Sequence, residues 1–178
     1  MKKWFFLFLL LLFLCLIFIN ELNTLDSKLP DGLYHIVSER SEQLIQQAKT
    51  KGIEVMITDD FRSFEEQDRL YAKGRSTEGE IITHAQGGES FHNYGLAIDF
   101  AILNQKQQPI WDMTYDGNGN GKSDWLEVVY IAKKIGFEWG GNWQGFKDYP
   151  HLQMDFGLSI HDLQRGERPP EQSLYPGK

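Results

Sequence analysis

Two short stretches, separated by about fifty residues, carry side chains that suit a metal-dependent hydrolase. One reads SFHNYGLAID and contributes His92 and Asp99; the other reads DYPH and contributes Asp148 and His151. Two imidazoles and one carboxylate suit Zn²⁺, which in catalytic centres is four-coordinate and keeps one position open. The pattern predicts zinc ligands at His92, Asp99 and His151. Asp148 is then free to transfer protons.

Two short strands must position these side chains. Residues 96–100 and 151–156 each alternate apolar side chains with other residues, which is typical of strands with one buried face. Asp99 and His151 both point away from the apolar face, so two neighbouring strands could present them on one surface. His92 would enter from the turn-like Asn-Tyr-Gly sequence that precedes the first strand.

The rest of the pattern predicts an α+β fold, a single small domain with an antiparallel sheet flanked by helices. The predicted elements are, in order, a helix over 34–51, a strand over 53–57, a helix over 64–73, the strand over 96–100, a helix capped by Asp124, and the strand over 151–156. A loop that contains several glycines, residues 74–88, leads into the strand that carries Asp99.

The two stretches together resemble a known family. The pattern Ser-x-His-x-x-Gly-x-Ala-x-Asp, followed by an acid three residues before a second His, is similar to the zinc peptidases of bacterial cell walls. These include D-Ala-D-Ala carboxypeptidases of the VanY type and L-alanyl-D-glutamate endopeptidases of endolysins and sporulating bacteria. The chain looks most like the endopeptidase branch, from about His35 to Gly157. That branch's Trp-Gly-Gly-x-Trp stretch is present at residues 139–143.

The resemblance implies a role for each site residue. It implies that His92, Asp99 and His151 hold one zinc ion and that Asp148 is the general base or acid. It also implies that Arg62, in a Phe-Arg-Ser turn, stabilises the oxyanion of the substrate. The three other histidines are expected to be surface or hydrogen-bonded residues: His35, His84 and His161.

The implied reaction is hydrolysis of an amide bond in peptidoglycan stem peptides. Cleavage between L-Ala and D-Glu is favoured over D-Ala-D-Ala carboxypeptidase action, on the resemblance alone. A module that keeps the zinc and binds the wall without turnover is the alternative from another class. The presence of both Asp148 and Arg62 speaks against that alternative.

A second metal pattern lies between the two zinc stretches. Asp116, Asn118, Asn120 and Glu127, with a glycine after Asn120, fit the calcium-loop template D-x-[DN]-x-[DN]-G-x5-E. Oxygen ligands at this spacing suit a hard cation, so the pattern predicts a structural Ca²⁺ that stabilises this loop, or a calcium-dependent interaction protein. An Asn- and Gly-rich loop explains the same residues without an ion.

The N-terminus indicates export. Residues 4–19 form an apolar run of 16 residues after Lys2 and Lys3. As a helix the run would span about 24 Å, a little less than a hydrocarbon core of about 30 Å. No small-residue cleavage site follows, which favours an uncleaved signal-anchor over a cleaved signal peptide. The lysines stay inside, so the domain faces outwards.

Charge and cysteine content exclude several classes of protein. The net charge is −7, and without Lys2 and Lys3 it becomes −9, which makes nucleic acid or an anionic membrane face a poor partner. Cys15 is the only cysteine and lies in the apolar run, so disulfides and a cysteine nucleophile are excluded for the folded domain. We expect a monomer that contacts the membrane through its N-terminal segment and takes peptidoglycan stem peptide as substrate.

These observations divide the chain into four parts. The expected parts are a signal-anchor or signal segment at 1–20, a linker at 21–33, a zinc peptidase domain at 34–163 and a C-terminal tail at 164–178.

Overall fold

A five-stranded antiparallel sheet positions the site. Its strands are β1 (Glu54–Asp59), β2 (Ala97–Leu103), β3 (Pro109–Ile110), β4 (Glu138–Trp139) and β5 (His151–Gln153). The order across the sheet is β1-β2-β5-β4, and β3 also pairs with β2. Strand β2 therefore lies in the middle of the sheet, bonded to β1, β3 and β5.

Helices flank this sheet, and the predicted α+β fold is confirmed. The computed structural model describes residues 11–17 and 29–170. Its helices within 29–170 are α1 (His35–Thr50), α2 (Phe64–Ala72), α3 (Asp124–Lys134) and the short α4 (Ile160–Gln164). Two 3-10 helices, Phe91–Tyr94 and Gly140–Asn142, precede β2 and follow β4.

The alternation in β2 separates the core from the site. Ile98 and Phe100 have no exposed surface, and the Phe100 ring lies 4.4 Å from the ring of Trp125 in α3. Burying large apolar side chains such as these stabilises the fold by about 1.5 to 3 kcal/mol each. Because neighbouring side chains point to opposite faces of a strand, fixing Ile98 and Phe100 in the core turns Asp99 away from it.

Several details differ from the sequence predictions, among them strands β3 and β4, which were not predicted. Strand β5 ends at Gln153 and not at residue 156: the Met154 N–H makes one more bond, to the Leu96 carbonyl at 2.9 Å, and Phe156 then takes a φ of 54°. The cap of α3 is Ser123, whose hydroxyl accepts a hydrogen bond from the Leu126 N–H at 3.2 Å, and not Asp124. Helix α4, which the sequence analysis did not predict, begins at a capping box formed by Ser159 and Asp162.

The described residues near the two ends of the chain can be compared with the predicted N-terminal segment and C-terminal tail. Residues 11–17 are helical, and no helix among the described residues is long and apolar enough to cross a membrane. Most of the apolar run on which the signal-anchor prediction rests lies outside the described residues. At the other end, the segment before Pro170 packs on the domain: Arg168 donates to the Leu163 carbonyl at 2.8 Å and lies 5.3 Å from the Tyr94 ring centre.

Candidate metal centre

Three elements bring the predicted zinc ligands together. Asp99 in β2 and His151 in β5 are direct partners across an antiparallel pair, so their side chains share one face of the sheet. His92 lies in the 3-10 helix before β2, which ends at Gly95 with a left-handed φ of 67°. A Cβ at Gly95 would lie 2.3 Å from the Gly32 carbonyl oxygen, so the turn that aims His92 needs glycine.

The three side chains meet closely enough to share one ion. The His92 Nε2 and His151 Nδ1 atoms each lie 3.4 Å from Asp99 Oδ1, and 3.2 Å from each other. One ligand atom from each of the three residues lies within 4.8 Å of the others. Both imidazoles are buried, whereas Asp99 is partly open to the cleft. This spacing matches three ligands around a small divalent cation.

The outer nitrogen of each imidazole is held by an oxygen. His92 Nδ1 lies 2.6 Å from the Asp60 carbonyl oxygen, which can only accept a hydrogen bond. His151 Nε2 lies 3.1 Å from Gln153 Oε1. These contacts place the protons on the outer nitrogens and leave lone pairs on His92 Nε2 and His151 Nδ1. Metal-binding histidines in proteins are commonly oriented in this way.

The cluster therefore consists of acceptors that face one another. Asp99 Oδ1 is buried and has no hydrogen-bond partner among the described residues. A buried anion beside two lone pairs needs a cation for compensation. The residues present thus fit a zinc ion.

Asp148 lies beside this cluster in the same cleft. Its backbone N–H donates to the Gly140 carbonyl at 3.3 Å, and a Cβ at Gly140 would lie only 2.5 Å from the Asp148 carbonyl oxygen. Burial and the negative charge of Asp99 raise the pKa of Asp148 above its ordinary value, against the opposing effect of His151 and His92. A carboxylate with a raised pKa is a better proton acceptor.

Arg62 lines the cleft and is held rigidly. Its guanidinium forms an ion pair with Asp59 and donates to Gln67 Oε1 at 2.7 Å. The backbone around Arg62 is also tied to the zinc motif, because Asn93 Nδ2 donates to the Arg62 carbonyl at 2.8 Å. These two side-chain bonds use only part of the five N–H donors of the guanidinium, so Arg62 can also face a substrate oxygen.

The cleft is large enough for a peptide. Its volume is about 730 Å³, and its walls combine carboxylates with aromatic side chains. The Trp143 ring lies 4.9 Å from the His151 ring. Phe146 and His84, from two different loops, meet edge to face with ring centres 6.1 Å apart. His84 is exposed and its Nδ1 lies 3.4 Å from the Arg75 guanidinium, as expected for a surface or hydrogen-bonded residue, and it also lines the cleft.

The predicted calcium loop lies apart from this centre. Asn118 and Asn120 both donate side-chain hydrogen bonds to Glu127 Oε2, at 3.1 and 2.7 Å, and Lys51 pairs with Glu127 Oε1 at 3.2 Å. Both oxygens of Asp116 accept backbone N–H groups of the loop. Among the described residues only His92, Asp99 and His151 form a metal-binding group of His, Cys, Asp or Glu. The calcium prediction has no support in the structure.

Sequence reasoning missed several residues that orient the site. The Asp60 contact uses a backbone carbonyl, for which no side-chain signal exists. Gln67 is fully buried, and besides accepting from Arg62 it donates to the Ala85 carbonyl at 2.8 Å, which joins Arg62 to the wall of the cleft. Gln153 shares the face of His151 by strand alternation, so a signal for its role was present in the sequence.

Known proteins match the region that carries this geometry. A family model described as D-alanyl-D-alanine carboxypeptidase, of the M15 peptidases, matches residues 83–154. The peptidoglycan L-alanyl-D-glutamate endopeptidase CwlK of Bacillus subtilis is 60% identical over 129 residues, which cover 72% of this chain and 77% of CwlK. The L-alanyl-D-glutamate peptidase of Listeria phage A118 is 33% identical over 65% of this chain and 36% of its own length.

Solved structures show a similar fold. The LD-carboxypeptidase LdcB matches with a TM-score of 0.52 and 20% identity, over 78% of this chain and 71% of the LdcB chain. Identity with CwlK extends over most of both chains, and the M15 match includes the His92, Asp99, Asp148 and His151 positions. The chain therefore belongs to the M15 family of bacterial cell-wall peptidases, and it is an enzyme.

Proposed function

We propose that this enzyme is a zinc-dependent peptidoglycan endopeptidase that hydrolyses the bond between L-Ala and D-Glu in stem peptides. The observation that carries the proposal is the convergence of His92, Asp99 and His151 with their lone pairs directed at one point. Identity with CwlK supports the choice of bond. The acidic, aromatic-walled cleft supports a peptide substrate.

The residues around the metal site have distinct roles in this proposal. A zinc ion held by the three ligands supplies Lewis acidity. Asp148 accepts the proton of the attacking water and passes it to the leaving amine, for which its raised pKa is suited. Arg62, permanently charged and fixed by Asp59 and Gln67, stabilises the negative charge that develops on the carbonyl oxygen.

The proposed site of action lies outside the cytoplasmic membrane. Peptidoglycan is the substrate named for CwlK, and the positively charged start of the apolar N-terminal run favours an outward-facing domain. Retention as a signal-anchor is part of the same proposal. The acidic charge of the chain means that binding depends on the cleft and not on long-range attraction to anionic wall polymers.

Digestion of a defined disaccharide-linked muropeptide tests the choice of bond. We expect a disaccharide fragment that ends in L-Ala, and a peptide with a new N-terminal D-Glu, both identified by mass spectrometry. The description of the matching family model favours the alternative, D-Ala-D-Ala carboxypeptidase action. Release of terminal D-Ala as the sole product would establish that alternative.

The Asp148→Asn variant tests the assignment of the base. It keeps the shape of the side chain and all three zinc ligands, so zinc content should remain that of the wild type. We expect kcat to fall by about 10² to 10⁴, which corresponds to about 3 to 5 kcal/mol. The exposed Asp31→Asn variant is the matched control and should keep full activity. Zinc binding and wall binding by a wild type that cuts no wall peptide would instead favour the non-catalytic module.

A further inference from the structure

The side chain of Gln153 lies between a ligand histidine and a surface carboxylate. Gln153 is 6% exposed, and its Oε1 lies 3.1 Å from His151 Nε2. On its other side, Gln153 Nε2 donates to Glu138 Oε2 at 3.4 Å. Glu138 in β4 is the cross-strand partner of Gln153 in β5, so the sheet itself sets this pair.

The chemistry of Glu138 decides which end of the amide faces His151. An amide side chain can present either its oxygen or its nitrogen to an imidazole. A carboxylate only accepts hydrogen bonds, so Glu138 selects the Gln153 nitrogen and turns the oxygen towards His151 Nε2. That oxygen can only accept, which requires the proton on His151 Nε2. The lone pair then lies on Nδ1, the nitrogen that faces Asp99 at 3.4 Å.

We infer that Gln153, oriented by Glu138, is a positioning residue that fixes the tautomer of His151 in which Nδ1 can bind the metal. The inference rests on the proposed zinc site. At His92, the Asp60 backbone carbonyl fixes the tautomer of the other imidazole in the corresponding way, by accepting a hydrogen bond from Nδ1. Of these two hydrogen bonds, only the one to His151 has a side chain as acceptor, so only that one can be removed by substitution.

The Gln153→Leu variant removes the acceptor and nearly preserves the volume. Without it, His151 is free to carry its proton on Nδ1, and that tautomer cannot bind the metal. We expect the zinc dissociation constant, measured by competition with a chelator, to rise about 10- to 100-fold. In the zinc-free protein, long-range ¹H–¹⁵N NMR should show the His151 proton on Nε2 in the wild type and a mixture of tautomers in the variant.

Two matched variants separate the loss of the contact to His151 from the non-specific effect of removing a buried amide. Gln153→Glu keeps an acceptor for His151 Nε2 and should restore the Nε2–H tautomer. Gln67→Leu removes another buried amide, one that bonds to Arg62 and not to a ligand histidine, so the His151 tautomer and the zinc affinity should stay those of the wild type. If Gln153→Leu does not fold, Glu138→Leu on the surface tests the same orientation, and a mixture of tautomers is expected.

An unchanged tautomer and an unchanged zinc affinity in folded Gln153→Leu would overturn the inference. So would an equal loss of zinc affinity in Gln67→Leu. The outcome is independent of substrate, because the NMR measurement uses zinc-free protein. A wild type that binds zinc and cuts no wall peptide would refute the proposed function and leave this test valid.

Discussion

Gly140 controls how closely the Asp148 loop approaches the proposed metal ligands, and Gly140→Ala is the sharpest test of that geometry. A Cβ at this position would lie 2.5 Å from the Asp148 carbonyl oxygen and 3.1 Å from the Cβ atoms of Asp148 and His151. The φ of Gly140 is outside the left-handed region, so alanine suits the backbone there. The effect of the substitution is therefore steric.

The magnitude follows from the distances. Ordinary contact begins near 3.4 Å, so the Asp148 backbone must retreat by roughly 0.9 Å. A misplacement of about 1 Å in a catalytic arrangement can cost about 10²-fold in rate. We expect kcat/KM of Gly140→Ala to fall by about 100-fold, or about 2.7 kcal/mol of transition-state stabilisation. Overpacking of this kind should also lower the free energy of unfolding by about 1 to 3 kcal/mol.

The assay compares muropeptide hydrolysis and urea unfolding in Gly140→Ala, the wild type and Gly32→Ala. A Cβ at Gly32 would meet no atom within 4 Å, so this control carries the same change of residue without the clash. We expect the control to keep wild-type activity. Activity of Gly140→Ala within about twofold of the wild type would show that close packing against Gly140 does not position Asp148.

Three further predictions concern stability. Asn93 is 1% exposed, accepts a hydrogen bond from the Gly88 N–H at 3.0 Å and donates one to the Arg62 carbonyl at 2.8 Å. Because Asn93→Leu leaves these buried groups without a partner, it should lower the free energy of urea unfolding by about 2 to 4 kcal/mol. A variant as stable as the wild type would contradict this. Hydrogen bonds from the Ser159 hydroxyl and then the Ser159 N–H lower the pKa of Asp162 to about 2. Since this is below the unfolded value of about 3.9, the stabilisation is present above about pH 4 and lost as the pH falls through about 2. Thermal unfolding should show Asp162→Asn to be less stable than the wild type at pH 7, with no gap at pH 2; a gap independent of pH would argue against the cap. Chelation should lower the Tm, and zinc should restore it, because the three ligands come together only in the folded state and a cation held by them binds only that state; a Tm insensitive to both would count against the zinc site.

The sequence was sufficient to predict which residues face the site, because that property is local. Alternation along residues 96–100 puts Ile98 and Phe100 on one face, where both are fully buried, and Asp99 on the other. The same rule places His151 and Gln153 together. The α+β fold could be predicted from similar patterns, because the spacing of apolar residues distinguishes a helix from a strand and shows which face of each is buried.

Other features depend on contacts that a local pattern does not encode. The carbonyl of Asp60 reaches His92 because β1 ends beside the 3-10 helix, and any residue has a carbonyl. Helix α4 has only five residues, too few for a periodic signal, although Ser159 and Asp162 have capping-box spacing. The match to the calcium-loop template depends only on residue types at fixed spacing, and it does not show whether the ligand oxygens are free to bind an ion. In the structure Glu127 is already bonded to Lys51 and to two asparagines.

The place of Asp99 in the central strand limits how this enzyme can diversify. Deleting or inserting one residue between Ile98 and Asp99 would exchange the two faces of β2, which would bury the carboxylate and expose a core side chain. Changes of length should therefore be excluded from β2 and tolerated in residues 74–84 and 104–122, which lie outside the helices and the longer strands. Residues 82–84 of the first segment also line the cleft. Within a lineage of such enzymes, substrate preference can then change through that loop while the metal ligands stay in place.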